Sequence, residues 1–197
     1  MQTGEGKAME FSFQGEQQTC LSARLGLNLE TESWDGKEWV YGREPQITVS
    51  LEVMVDEESG EDGAAAPDAH WLMKPVPADL FHSEWDDSSP EFEAWFGNDA
   101  PELEKNRIRL SGRDPQGRVQ VDWSADCGGL PMTCSGPAEF GGLTMRVRQP
   151  EDAPAFLAQV NPAWQNLQPT EDEVVNFGET MPEHRRVWHS LRFNLPQ

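Results

Sequence analysis

The sequence predicts an α+β fold dominated by antiparallel β-sheet, sandwich-like or strongly curved, with two or three short helices. Two observations carry most of that expectation. Long stretches alternate apolar and polar residues with a period of two, which a helix cannot use to bury one face. Gly-, Pro- and Asp-containing turn signals recur between these stretches, most clearly at Asp114-Pro115-Gln116-Gly117. Helix signals are confined to short stretches, two of them late in the chain, which argues against a doubly wound parallel sheet.

Taken in order, residues 1–8 read as a flexible lead. The rest, 9–197, reads as a single β-rich domain. Met9, Phe11 and Phe13 alternate with Glu10 and Ser12 as a half-buried strand. A polar turn at Gly15–Gln18 follows. Leu21, Ala23, Leu25, Leu27 and Leu29 then share one face, and Asp35-Gly36 predicts a hairpin returning through Glu38–Tyr41. Ile47, Val49, Leu51, Val53 and Val55 form the clearest strand. The segment 56–68, almost wholly acidic, Gly and Ala, is expected to be an acidic, solvated loop. His70–Lys74 predicts a short strand.

Ser89-Pro90-Glu91 has the form of a helix start, giving a short helix with Phe92, Trp95 and Phe96 as its buried stripe, ended by Gly97. Ile108 and Leu110 alternate with Arg107 and Arg109, and Val119, Val121 and Trp123 return after the 114–117 turn. The Gly/Pro-rich stretch Cys127–Gly142 reads as loop, and Thr144–Arg148 as a strand. Helices are predicted over Asp152–Val160 and over Thr170–Phe177, the second from a capping box of Thr170 and Glu173. Val187–Leu195 closes the chain as a strand. The period-2 runs amount to seven to nine strands.

The charge is uneven. The formal net charge is −20. Between Leu51 and Glu104 there are 16 acidic residues against the single basic Lys74. Between Lys105 and Pro150 seven basic residues outnumber four acidic ones. A field concentrated in this way repels nucleic acid and attracts basic proteins. No apolar run is long enough for a membrane helix. The odd set of three cysteines, Cys20, Cys127 and Cys134, reads as packed thiols rather than a disulfide framework. With no signal-like segment, that predicts a cytoplasmic protein with no membrane partner.

No cofactor fingerprint occurs, and neither a catalytic set nor a metal set is assigned. His70 and His82 lie among Asp68, Glu84, Asp86 and Asp87, but without metal-ligand spacing. Cys127-Gly128-Gly129 could expose backbone amides as an oxyanion hole, with His184 or His189 as a base from elsewhere; nothing in the spacing fixes that geometry. The leading expectation is therefore a non-catalytic acidic binding protein. Its partner is a basic protein, for example a nuclease-like toxin neutralised by an immunity protein, or a nucleic-acid-binding protein inhibited by mimicry. The partner-binding residues would be Glu84, Trp85, Asp86, Asp87, Glu91, Phe92, Glu93 and Trp95, where carboxylates flank aromatic anchors. Two alternatives stand beside it. One is a small hydrolase or metal-dependent enzyme at Cys127 or the His70/His82 region. The other is a structural or assembly protein binding an anionic ligand on the face bearing Arg107, Arg109, Arg118, Arg146 and Arg148. The acidic segment could equally cover those arginines within the chain.

Overall fold

The computed structural model describes residues 9–34, 37–55, 67–74, 76–77, 79–89, 91–96, 102–177 and 186–196. The predicted lead at 1–8, the Asp35-Gly36 turn and residues 56–66 of the predicted 56–68 loop lie outside the described residues; its last two residues, Pro67 and Asp68, are strand. Twelve strands are present among the described residues: β1 (Glu10–Phe13), β2 (Glu16–Gln18), β3 (Cys20–Trp34), β4 (Trp39–Val55), β5 (Pro67–Met73), β6 (His82–Asp86), β7 (Phe92–Phe96), β8 (Leu103–Arg113), β9 (Val119–Cys127), β10 (Leu130–Val147), β11 (Glu171–Phe177) and β12 (Arg186–Phe193). One helix, α1 (Ala153–Val160), is flanked by 3-10 turns at Pro150–Asp152 and Pro162–Trp164. The described residues are thus mostly sheet with one short helix. The sheet is mixed rather than purely antiparallel, although pairs such as β8–β9, β9–β10 and β11–β12 are antiparallel.

The chain divides into two compact units, and the division falls inside the long strands β3, β4 and β10. The first comprises Met1–Leu25, Val49–Leu72 and Pro77–Gly141. Its strands follow the hydrogen-bonded order β6-β8-β9-β10-β3-β4-β5-β7, with β1 added on β10 and β2 on β1. Its sheet curls, because rings from separated strands meet inside. Trp71 on β5 lies 5.3 Å from Trp85 on β6, and Phe96 on β7 stacks on Phe13 of β1 at 4.5 Å. Phe11, Leu51, Val53, Ile108, Val121, Trp123 and Met132 fill the interior, each at 2% exposure or less. The alternation seen in the sequence is the cause: each strand puts every second side chain there.

The second unit comprises Gly26–Thr48, Met73–Val76 and Gly142–Gln197. β12 pairs with β10 and β11, with Leu143 opposite Phe193 and Met145 opposite Leu191. Helix α1 buries Ala153, Phe156 and Leu157, a one-sided stripe at helical spacing. Asn161 stops it: its backbone is extended, its N–H bonds back to Leu157, and its side chain accepts from Ala163 N–H at 3.0 Å. The ring of Phe156 meets Tyr41 edge-on at 5.3 Å.

Three elements differ from the sequence reading. The predicted helix after Ser89 is strand β7. Ser89 closes a turn, its N–H bonding Asp86 O at 2.9 Å, and Glu91 takes a positive φ of 54°. Five residues rich in aromatics pair with β5, Ala94 opposite Ala69, where a helix would have had under two turns to bury them. The predicted helix over Thr170–Phe177 is strand β11. Thr170 spends both its N–H and its hydroxyl on Arg192 O, at 2.8 and 3.2 Å, so it starts a ladder rather than capping a helix. The predicted loop Cys127–Gly142 is mostly strand β10. Gly128 and Gly129, at φ 60° and 89°, make the tight turn from β9. Beyond them Met132, Cys134, Gly136 and Ala138 alternate inward; three of the four are small, which hides the periodicity.

Candidate functional site

The predicted partner-binding residues all lie in the first unit and separate onto two sides of the sheet. On β6, Glu84 and Asp86 point outward and Trp85 inward, opposite Ile108. On β7, Glu93 and Trp95 point outward, while Phe92 lies against Trp71 with centroids 6.1 Å apart. Trp85 and Phe92 are therefore partly buried packing partners of Trp71, whereas Trp95 faces the surface. Asp87 sits in the turn after β6 and accepts hydrogen bonds from Asn106 of β8. Glu91 is exposed at the positive-φ position before β7.

The outer face of β6-β8-β9-β10 is a charge ladder. The register aligns Glu84, Arg109, Asp122 and Ser135 in one row, and Asp86, Arg107, Ser124 and Thr133 in the next. Arg107 donates to Glu84, Arg109 to Asp122 at 3.0 Å, and Ser135 to Asp122 at 2.7 Å. Lys105 pairs with Asp126 at 2.9 Å. The carboxylates of β6 thus meet arginines of their own chain. The Arg107 and Arg109 side chains are 68% and 60% exposed, so water screens both pairs and they add little to stability. Asp86 is held below the usual carboxylate range, chiefly by the hydroxyl and N–H of Ser88 and more weakly by the field of Arg107.

Arg118 is not on this ladder; it pairs with Asp114 at 2.7 Å inside its own turn. In the second unit Arg148 reaches Glu32 at 2.7 Å and lies 4.7 Å over the Tyr41 ring. Sequence reasoning grouped these arginines by outward direction, which separates them from the core but not from one another.

The outer face of β4-β5-β7 is different. Asp68 lies opposite Trp95, and His70 opposite Glu93. The His70 ring stacks on Trp95 at 5.1 Å and 15°. Burial pushes the Asp68 carboxyl up, and the charge of Glu52 on β4 adds to the shift. Met54, next along β4, is 59% exposed. Among the described residues none of Glu52, Asp68 or Glu93 pairs with a lysine or arginine. Here carboxylates, an aromatic plane and an exposed thioether share one surface. Glu52, Met54, Asp68 and His70 were missed as members of it. The outward phase of Glu52 and Met54 was legible in the 47–55 alternation; Asp68 was read as loop, and the adjacency of β4, β5 and β7 had no local signal.

Cys127 and Cys134 are buried, and Cys134 is pushed up to about 12, mainly by burial. Burial and the neighbouring Asp126 charge raise Cys127, the direction that disfavours a thiolate. His189 bonds Asp172 across β11–β12, and His82 bonds Asp79, both at 2.9 Å. No three His, Cys, Asp or Glu side chains converge on a common point among the described residues. No helix there is long and apolar enough to cross a membrane. No family, curated protein or solved structure matches the chain at a significant level.

Proposed function

We propose that this protein is a non-catalytic acidic binding protein that neutralises a basic protein partner through the outer face of β4, β5 and β7. The single observation behind this reading is the acid of that face, Glu52, Asp68 and Glu93, which pairs with no lysine or arginine among the described residues and surrounds the half-buried Trp95. Charge that no described lysine or arginine balances is available to a partner, and an aromatic plane beside it supplies the apolar contact that charge lacks. Asp87 and Glu91, on the β6–β7 connection, extend the negative field towards the same partner, with Asp86 at the end of β6 beside them. Trp85 and Phe92 support the surface from beneath. A partner with a cationic nucleic-acid cleft, such as a nuclease-like toxin, fits this chemistry because carboxylates there stand in for phosphates.

Purified partner, captured from the source cell and re-assayed alone, tests the reading. Glu93→Lys should slow association and flatten its salt dependence, whereas Trp95→Ala should speed dissociation. A partner that binds both variants as it binds the unaltered protein would remove this face from the function. Retention of no basic protein at all would remove the function itself.

A further inference from the structure

A groove of about 430 Å³ lies on the outer face of β6, β8, β9 and β10. That volume is within the range of small-molecule sites. Glu84, Arg107, Arg109, Asp122, Ser124 and Thr133 line it.

The charges of the lining decide which ligands it excludes. Two carboxylates and two guanidiniums cancel, and each guanidinium is held by a carboxylate of the groove. A free anion would meet Glu84 and Asp122 as well as the arginines, on a protein of net charge −20. A free cation would meet Arg107 and Arg109. An apolar ligand would strip water from four ionised groups and return nothing. A zwitterion could satisfy the lining only by breaking both internal ion pairs.

The hydrogen-bonding inventory decides what it accepts. Arg107 and Arg109 each make one side-chain hydrogen bond among the described residues, through Nε and Nη2 respectively, of the five N–H groups a guanidinium carries. The hydroxyls of Ser124 and Thr133 make none among the described residues. Glu84 keeps acceptor positions beyond the one that Arg107 uses. Unspent donors and acceptors therefore alternate over neighbouring strands, with the ion pairs left intact. A ligand hydroxyl both accepts from a guanidinium and donates to a carboxylate, so vicinal hydroxyls match this alternation.

We propose that the groove over β6, β8, β9 and β10 is a binding site for a neutral, hydroxyl-rich small molecule of the saccharide class. The site stands on the groove alone and does not depend on the protein-binding reading above.

The test uses the full chain and a panel of neutral mono- and disaccharides, with inorganic phosphate and free lysine as charged comparators. Amide chemical shifts and calorimetry are followed at low and high salt. At least one saccharide should shift amides of β6, β8, β9 and β10 and saturate, with an affinity that salt hardly changes. Thr133→Val keeps the β-branched shape and should weaken that saccharide by about three- to tenfold, one hydroxyl's worth of hydrogen bonding. Arg109→Gln should weaken it further while thermal unfolding stays near that of the unaltered protein. The proposal is overturned if no saccharide moves these amides, if phosphate or lysine binds the groove more tightly than every saccharide, or if Thr133→Val leaves the affinity unchanged.

Discussion

The carboxylate of Asp87 accepts two hydrogen bonds from Asn106, one from its backbone N–H and one from its side-chain amide, both at 2.9 Å. Asn106 is 2% exposed and lies at the irregularity in β8 between Glu104 and Arg107, where Lys105 takes a φ of 54°. Its amide also donates to Leu103 O at 2.9 Å, and its oxygen accepts from the indole N–H of Trp123 at 3.0 Å. One side chain thus ties the β6 turn, the β8 bulge and the β9 core together.

Asn106→Ala should therefore destabilise the protein by about 2–4 kcal/mol, since it strands the Trp123 N–H in the interior and the Asp87 carboxylate at its edge. Asp87→Asn keeps an acceptor in place and should cost about 1 kcal/mol. Urea denaturation measures both. Equal losses from the two substitutions would show that the Trp123 bond contributes little.

Tyr41 is the chain's only tyrosine, so its ionisation can be followed directly by tyrosinate absorbance. Burial and the hydrogen bond to Asp152, 2.7 Å from its hydroxyl, push it from 10.0 up to about 12. The folded state holds this proton more tightly than the unfolded chain. The stabilisation from Tyr41 is therefore complete below pH 10 and is lost as pH rises towards about 12. Native protein should show little tyrosinate at pH 11, about a unit below that value, while protein unfolded in denaturant shows it extensively. Tyr41→Phe should remove the difference in stability between these conditions.

Asp68 runs the opposite way in its effect on a variant. Burial and Glu52 raise its carboxyl, so at neutral pH the ionised form is held at a cost. Asp68→Asn should raise the melting temperature at pH 7. The gain should shrink as pH falls through the carboxylate range, because the unaltered protein then carries a proton there too. A gain that persists at low pH would have a different origin from charge.

How far the sequence disclosed this architecture depended on side-chain size and on distance along the chain. The 47–55 alternation was legible because its inward positions are branched and large, and the 114–117 turn because Asp114 and Gly117 close it locally, with Gly117 N–H on Asp114 O at 2.8 Å. β10 was hidden by small inward residues, and β11 by a Thr–Glu spacing that suits a helix start and a strand edge equally. The candidate face was only half legible. Trp95 and Glu93 stood out in an acidic, aromatic stretch, but their outward direction follows from β7 being a strand. As a helix the same stretch would have buried Trp95. The approach of Asp68 and Glu52 depends on β5 lying between β4 and β7, a long-range pairing that no local pattern encodes.

Trp85 and Trp95, ten residues apart and both flanked by carboxylates, should behave oppositely when truncated. Trp85 lies opposite the fully buried Ile108, and its ring is 5.3 Å from that of Trp71, itself wholly buried. Trp85→Ala leaves a void beside Trp71 where the curled sheet brings β5 and β6 together, a mechanism that costs about 3 kcal/mol. Trp95 stacks on His70 on the outer face, where its truncation opens no void in the interior, so Trp95→Ala should cost about 1 kcal/mol or less. Urea denaturation separates the two, and acrylamide quenching of variants lacking one or the other indole gives an independent reading. Removing Trp95 should lower the quenchable part of the fluorescence more than removing Trp85 does. If Trp95→Ala proved the more destabilising substitution, the outward face of β7 would be packing surface, and the acid around it would have no aromatic plane to offer a partner.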